Sequence, residues 1–297
     1  MYKSIIPGLV SIDTKLEEIN GFVMCQNFNF FDGTAKKNKF HYKLIFNEMP
    51  FSPPKDYDFR SEYFIKKDEI WYYDRKTFFW HPAFKYDLMN KVFYFNRAYF
   101  NLPFRIGGIF TVGENISNMV DLDLFLNGYV CLRGIAVRLN NKNIGLSAPG
   151  FNGKTSLLKK LLKSGAQYIA EDYLVLNLKN KEVYPTCPLA KENFWRRRRI
   201  NSELTELINK ETIVDKVQSL DELYLVQNSQ NFSYNPGKKE FIDYLLLNSL
   251  YFLDNLFIKS YIYEQGLTNL LFKRINEAKT LNLGKFIKVN NFNFDFL

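Results

Sequence analysis

The period of the apolar positions changes along the chain and divides it. Up to about residue 125, short aromatic runs alternate with polar residues, the period-2 pattern of half-buried strands. Gly21-Phe-Val-Met-Cys-Gln26, Phe40-His-Tyr-Lys-Leu-Ile-Phe46 and Ile70-Trp-Tyr-Tyr73 are of this kind. The last is followed by a turn at Asp74-Arg-Lys76 and a return at Thr77-Phe-Phe-Trp80, which predicts a hairpin, and Met49-Pro-Phe-Ser-Pro-Pro-Lys55 predicts a loop. From about 126 onward strands and a helix follow one another. Arg133–Leu139 and Ile144–Ser147 are strand candidates joined by the turn Asn140-Asn141-Lys142. Thr155 to Lys163 carries Leu157, Leu158, Leu161 and Leu162 on one face and Lys159, Lys160 and Lys163 on the other, which predicts a helix ended by Ser164-Gly165. Gln167–Ala170 and Tyr173–Leu176 are further strands. After Ile200 the pattern turns mainly helical: Ser202–Leu207, Lys239–Leu253 and Leu267–Ala278, with strands at Glu222–Val226 and Gly284–Val289. The expected organisation is a β-rich region over 1–125 and a nucleotide-binding domain over 126–297, with no internal repeat.

The join between the second strand and the helix carries the chemistry. Ser147-Ala-Pro-Gly-Phe-Asn-Gly-Lys-Thr155 ends in Gly-Lys-Thr, the close of a P-loop (Walker A), with Ala148 where the first glycine often stands. Gly150 and Gly153 let the backbone curl and bring N–H groups toward phosphate oxygens. Ala148, Pro149, Gly150, Phe151, Asn152, Gly153, Lys154, Thr155 and Ser156 are therefore the expected nucleotide-binding residues. Lys154 supplies a mobile charge for the terminal phosphates, and the Thr155 hydroxyl can ligate Mg²⁺. The loop delivers its amides at a helix N-terminus, where the dipole also favours an anion. A glycine-rich turn that merely precedes a helix is the bland alternative; strand, loop, lysine, hydroxyl and helix together speak for a phosphate site.

Glu171-Asp172 falls at the end of the Gln167–Ala170 strand. Two carboxylates this close to a P-loop suit a kinase, one holding Mg²⁺ and the other taking a proton from an attacking hydroxyl. A solvated acidic turn between two strands is the other reading. The P-loop strand also follows an antiparallel hairpin, whereas in Rossmann-like domains that strand is parallel to its neighbours.

Leu132-Arg-Gly-Ile-Ala-Val137, then Ile144 to Thr155, then Lys163-Ser-Gly-Ala-Gln-Tyr-Ile-Ala-Glu-Asp172, resembles the catalytic domain of HPr kinase/phosphorylase. It is more similar still to the divergent HPr-kinase-like proteins of bacteria, some of which act as peptide kinases in peptide-modifying gene clusters. The specific part of the resemblance covers about residues 130 to 180. It implies an α/β fold: a P-loop kinase core of the phosphoenolpyruvate carboxykinase/HPr kinase type, here with an N-terminal β-rich region and a mainly helical C-terminal part. It implies ATP and Mg²⁺ as cofactors and a serine or threonine hydroxyl as acceptor. By position it gives Lys154 and Thr155 to phosphate and Mg²⁺, Asp172 to the metal and Glu171 to the general base. Arg133 stands where the family usually has a histidine, and Glu171 where it has an aspartate. A second family signature of the Glu-x-Arg-Gly-x-Gly type has no match in the chain, which argues against HPr as acceptor and against phosphorolysis. The family often forms homo-oligomers.

Composition narrows the setting. With 297 residues, 46% hydrophobic and 24% charged, the chain has the makeup of a folded protein. Aromatics reach 17%, with 29 Phe and 19 Tyr, a bias that an AT-rich coding sequence accounts for. Cys25, Cys131 and Cys187 have no CxxC spacing, and with His41 and His81 as the sole histidines a zinc site is not expected. Reduced thiols and the lack of a leader pattern lead to the expectation of a cytoplasmic protein. Phe241–Phe257 contains Asp243, Asn248, Asp254 and Asn255, so it reads as a core helix rather than a membrane span. Net charge is +9, and Arg196-Arg-Arg-Arg199 follows Phe194-Trp195 and the turn Pro185-Thr-Cys-Pro188. That run can be a solvated basic face, a contact for phosphate or an acidic peptide, or a nucleic-acid contact, although no nucleic-acid fold signature accompanies it.

Three functional readings follow. One is a kinase acting on a peptide or small protein, with Lys154 on the phosphates, Thr155 and Asp172 on Mg²⁺, Glu171 as base, and Arg133 or one of Arg196–Arg199 neutralising transition-state charge. The second is a degenerate kinase that binds nucleotide as a sensor or scaffold. The third is a small-molecule kinase on the same scaffold.

Overall fold

The computed structural model describes residues 2–16, 30–31, 38–47, 52–74, 83–96, 112–147, 153–177, 179–188, 191–193, 196–199, 202–208, 212–228, 249–279 and 285–289. It is a mixed α/β structure with several sheets, and it divides into two units. One comprises 1–120 and 253–267; the other comprises 121–252 and 268–297.

The first unit is built on an eight-stranded sheet: β1 (Tyr2–Ile6), β2 (Val10–Asp13), β3 (Phe40–Asn47), β4 (Phe59–Arg60), β5 (Phe64–Lys67), β6 (Ile70–Asp74), β7 (Ala83–Asp87) and β8 (Val92–Asn96), in the order β1-β2-β3-β8-β7-β6-β5-β4. Alternation explains the strands: Tyr42 and Leu44 of β3 are buried while Lys43 is exposed. The Ile70–Asp74 strand pairs antiparallel with Ala83–Asp87 and with Phe64–Lys67, while the expected return at Thr77–Trp80 lies outside the described residues, as does Gly21–Gln26. Among the described residues, the Pro-rich loop keeps no regular structure over 52–55. The aromatic excess has a structural use here. Phe257 makes ring contacts with Phe64, Trp71, Phe84, Tyr86 and Tyr261, and Tyr86 stacks on Phe93 with centroids 4.3 Å apart.

Helix α1 (Val112–Leu126) contributes to both units, since the division falls between Val120 and Asp121. The sequence pattern did not predict it. Asn115, Ser117, Asn118 and Asp121 are buried along with its apolar residues, so no polar stripe marks a solvent face.

The second unit has a five-stranded sheet of β10 (Gly134–Leu139), β11 (Lys142–Ser147), β12 (Gln167–Glu171), β18 (Glu222–Asn228) and β19 (Lys285–Val289), ordered β12-β10-β11-β18-β19. A four-stranded sheet, β17-β14-β13-β9, comprises β9 (Tyr129–Leu132), β13 (Leu174–Asn177), β14 (Glu182–Tyr184) and β17 (Gln218–Ser219). A third, two-stranded piece pairs β15 (Lys191–Asn193) with β16 (Arg196–Arg199). Among the described residues the further α-helices are α2 (Lys154–Lys163), α3 (Ser202–Leu207), α4 (Leu256–Glu264, in the first unit) and α5 (Thr268–Lys279).

The expected hairpin forms as read: Gly134 pairs with Ser147 and Leu139 with Lys142, and Asn140 and Asn141 turn the chain at φ 50° and 62°. Positive φ at both central residues is the geometry asparagine tolerates best after glycine. The other side of β11 is parallel to β18. The α2 leucines Leu157, Leu158, Leu161 and Leu162 are buried, and the helix packs on β10 and β12. The two sheets meet closely at glycines: a Cβ on Gly134 would stand 2.5 Å from Leu146 O and 3.2 Å from Leu174 Cδ2. The expected 239–253 helix lies largely outside the described residues. Tyr251–Asp254 is a 3₁₀ turn, and Asn255 opens α4 by accepting from the Phe257 and Ile258 amides at 3.0 and 3.3 Å. The Phe241–Phe257 stretch is therefore broken at Asn255.

Candidate functional site

β11 and β12 both pair antiparallel with β10, so they run in the same direction and end together. Ile135 of β10 pairs with Leu146 on one side and Glu171 on the other. The end of β12 thus stands one strand away from the end of β11, where the expected phosphate loop begins. Ser147, fully buried, fixes that end by donating its hydroxyl to Arg133 O at 3.0 Å.

Ala148, Pro149, Gly150, Phe151 and Asn152 lie outside the described residues. Gly153 is the N-cap of α2, in the left-handed region at φ 68°, a conformation that costs glycine little. A glycine offers no capping side chain. No side chain caps the start of α2, the end at which the helix dipole favours an anion.

Two contacts join this turn to the acidic corner. The Thr155 hydroxyl donates to Glu171 Oε1 at 2.9 Å. Lys154 Nζ stands 3.9 Å from Asp172 Oδ1, with the two side chains 10% and 40% exposed. Glu171 is the last residue of β12 and only 3% exposed. Asp172 has φ 59°, a left-handed conformation that residues other than glycine seldom adopt. The structure thus gathers Lys154, Thr155, Glu171 and Asp172. Arg133 is exposed at the foot of β10, and Arg196–Arg199 form β16, where Arg196 pairs with Asn193 and Arg199 with Lys191.

Thr186 is a residue the sequence reading passed over. Fully buried, it donates its amide to Ile169 O at 3.1 Å and its hydroxyl to Tyr173 O at 2.8 Å. Tyr168 in turn donates its phenol to Thr186 O at 2.8 Å. Burial, and then the neighbouring Glu171, hold the Tyr168 phenol well above its usual range. These bonds clamp the chain before and after Glu171-Asp172. Only the spacing of Pro185 and Pro188 marked the segment in sequence, as a turn.

Among the described residues there is no cluster of three or more His, Cys, Asp or Glu that could hold a metal by side chains alone. The oxygens of Thr155, Glu171 and Asp172 nonetheless suit a hard cation that takes a few protein oxygens and completes its shell with phosphate and water, as Mg²⁺ does. Cys131 is buried with a free thiol, which burial and then Asp121 push well up.

No family model matches the sequence, and no curated protein matches it either. Among solved structures, the HPr(Ser) kinase/phosphatase from Coxiella burnetii aligns with a TM-score of 0.28 and 13% identity, over 36% of this chain and 71% of that one. Similarity at that level carries no argument for the fold or the activity. Among the described residues, no helix is long and apolar enough to cross a membrane.

Proposed function

We propose that this chain is an ATP-dependent kinase of the HPr-kinase-like type, transferring the γ-phosphoryl group to a serine or threonine hydroxyl of a peptide or small protein. The observation that carries the reading is the meeting of Lys154 and Thr155, at the start of a helix, with Glu171 and Asp172 at the end of a strand. A lysine and a hydroxyl at a helix N-terminus suit the β- and γ-phosphates and their Mg²⁺, and an adjacent carboxylate suits an attacking hydroxyl. In this reading Ala148 to Ser156 form the P-loop. Lys154 binds the phosphates, the Thr155 hydroxyl lies on the Mg²⁺ side, and Arg133 neutralises charge as transfer proceeds. Mg²⁺, when bound, offsets the negative charge of the β- and γ-phosphates. The use of ATP makes a cytoplasmic reaction part of the same proposal.

The test is transfer of label from ATP, with Mg²⁺ and the peptides encoded beside the gene, using Lys154→Ala as control. Label on serine or threonine that the control loses supports the reading. A chain that binds no ATP sinks it. A nucleotide-binding protein without transfer is the second reading, favoured by Glu171 standing where the resembled family has an aspartate; saturable ATP binding with no labelled acceptor selects it.

A further inference from the structure

The contacts pair the four site groups differently from the family resemblance. That resemblance places Thr155 with Asp172 on the metal and leaves the proton to Glu171. Within the kinase reading above, we propose the opposite division: Thr155 and Glu171 form the metal-side pair, and Asp172 is the carboxylate that meets the acceptor hydroxyl.

Consecutive strand residues point to opposite faces of a sheet, so two carboxylates in a row would ordinarily diverge. Here β12 ends at Glu171 and the chain turns at Asp172 through φ 59°. The turn brings both side chains to the same turn of α2, Glu171 to Thr155 and Asp172 to Lys154. The pairs are not equivalent. Glu171 is 3% exposed, closed off from any approaching protein side chain. The Asp172 side chain is 40% exposed and open to a hydroxyl arriving from solvent.

Separation agrees with this division. Mg²⁺ takes oxygens at about 2.0–2.1 Å in an octahedron, which sets neighbouring ligand oxygens roughly 2.9 Å apart. Thr155 Oγ1 and Glu171 Oε1 are 2.9 Å apart. Once the hydroxyl proton rotates away, both oxygens can turn lone pairs toward one ion. The extra methylene of Glu171 then has a purpose, since it carries the carboxylate from the end of β12 to the first turn of α2.

The reaction balances on these groups. The acceptor oxygen forms a bond to the γ-phosphorus, and the bond from that phosphorus to the β–γ bridging oxygen breaks. The electron pair of that bond leaves with ADP, and the acceptor's proton passes to Asp172 Oδ1 or Oδ2. Lys154, beside Asp172, lies against the phosphate that moves.

The experiment compares the full-length wild type with Glu171→Gln, Glu171→Asp, Asp172→Asn and Thr155→Ala. ATP affinity is measured with and without Mg²⁺, and label transfer is measured in parallel. Glu171→Gln and Thr155→Ala should each lose about tenfold or more of the Mg²⁺-dependent gain in affinity, and the double variant should lose no more than either single. Glu171→Asp should lose much of that gain too, because the shorter side chain falls short of Thr155. Asp172→Asn should keep the gain or bind ATP more tightly, having lost a negative charge beside the phosphates, while transfer falls about a hundredfold or more. The division is overturned if Asp172→Asn transfers at the wild-type rate. It is equally overturned if Glu171→Gln keeps its Mg²⁺ gain and loses transfer, or if Glu171→Asp transfers as well as wild type. Asp172→Asn changes a half-exposed side chain and leaves the buried carboxylate intact, so its result decides between the two divisions even where Glu171→Gln fails to fold. A wild type that binds no ATP removes the kinase reading and this division together, whereas the reversed pattern among variants removes the division alone.

Discussion

Thr186 donates its hydroxyl to the carbonyl of Tyr173 at 2.8 Å, across the corner that carries Glu171 and Asp172. The threonine is fully buried, so no water replaces it as donor. Thr186→Val keeps the shape and leaves that carbonyl unsatisfied, which should cost about 1–2 kcal/mol of stability. The left-handed turn at Asp172 loses a support at the same time. Label transfer should fall by more than ATP affinity does, and unfolding in urea together with the two assays checks both parts. Unchanged transfer in a destabilised variant would make Thr186 a purely structural residue.

Gly134 and Gly145 lie on the paired strands β10 and β11 and should respond differently to alanine. A Cβ on Gly134 meets the backbone oxygen of Leu146 at 2.5 Å, and that oxygen cannot move without shifting β11. A Cβ on Gly145 meets the side-chain atom Leu223 Cδ1 at 3.1 Å, which can rotate. Gly134→Ala should lose about 1–3 kcal/mol and Gly145→Ala clearly less. Thermal unfolding of the two variants orders them, and the reverse order would contradict the packing.

Phe257 lies 132 residues beyond the end of the expected β-rich region at 125, yet it is fully buried among Phe64, Trp71, Phe84 and Tyr86 of the first unit. Phe257→Ala should cost about 3–5 kcal/mol. The loss should appear in the near-ultraviolet signal of the aromatic cluster. A variant as stable as wild type would show that the 253–267 segment does not hold that unit together.

Stability should fall in alkali. In the native state burial keeps the Cys131 thiol and the Tyr168 phenol protonated well past the values near 9 and 10 at which such groups ordinarily ionise. The unfolded chain releases those protons first, so the stabilisation is complete below about pH 9 and is lost as pH rises beyond it. The urea midpoint should begin to drop near about pH 9 and keep falling past about pH 10. Tyr168→Phe should flatten that drop, although it starts lower because its bond to Thr186 O is gone. An equally steep drop in the variant would clear Tyr168 of the effect.

Local pattern was enough for the hairpin, for α2 and for the strands on either side of the acidic pair. Asn140-Asn141 supplies the turn and the four leucines supply the helical face, and neither depends on distant residues. Strand β18 over 222–228, α5 and β19 were legible for the same reason. Helix α1 was not, because burying Asn115, Ser117, Asn118 and Asp121 beside its apolar residues removes the polar face that periodicity detects.

The sequence by itself determined which chemistry-bearing residues exist and on which elements they ride: Gly153, Lys154, Thr155 and Ser156 at a helix start, and Glu171 and Asp172 at a strand end. What only the tertiary structure decided is which of them meet. Pairing of β10 with both β11 and β12 carries the acidic corner to the helix start. The backbone turn at Asp172, clamped by Thr186, then allots Glu171 to Thr155 and Asp172 to Lys154. Those allotments rest on a strand register and on hydrogen bonds between residues 13 to 18 positions apart, Thr186 to Tyr173, Thr155 to Glu171 and Tyr168 to Thr186. A periodic pattern reports the face on which a residue lies, and it says nothing of the partner that the folded chain brings to it.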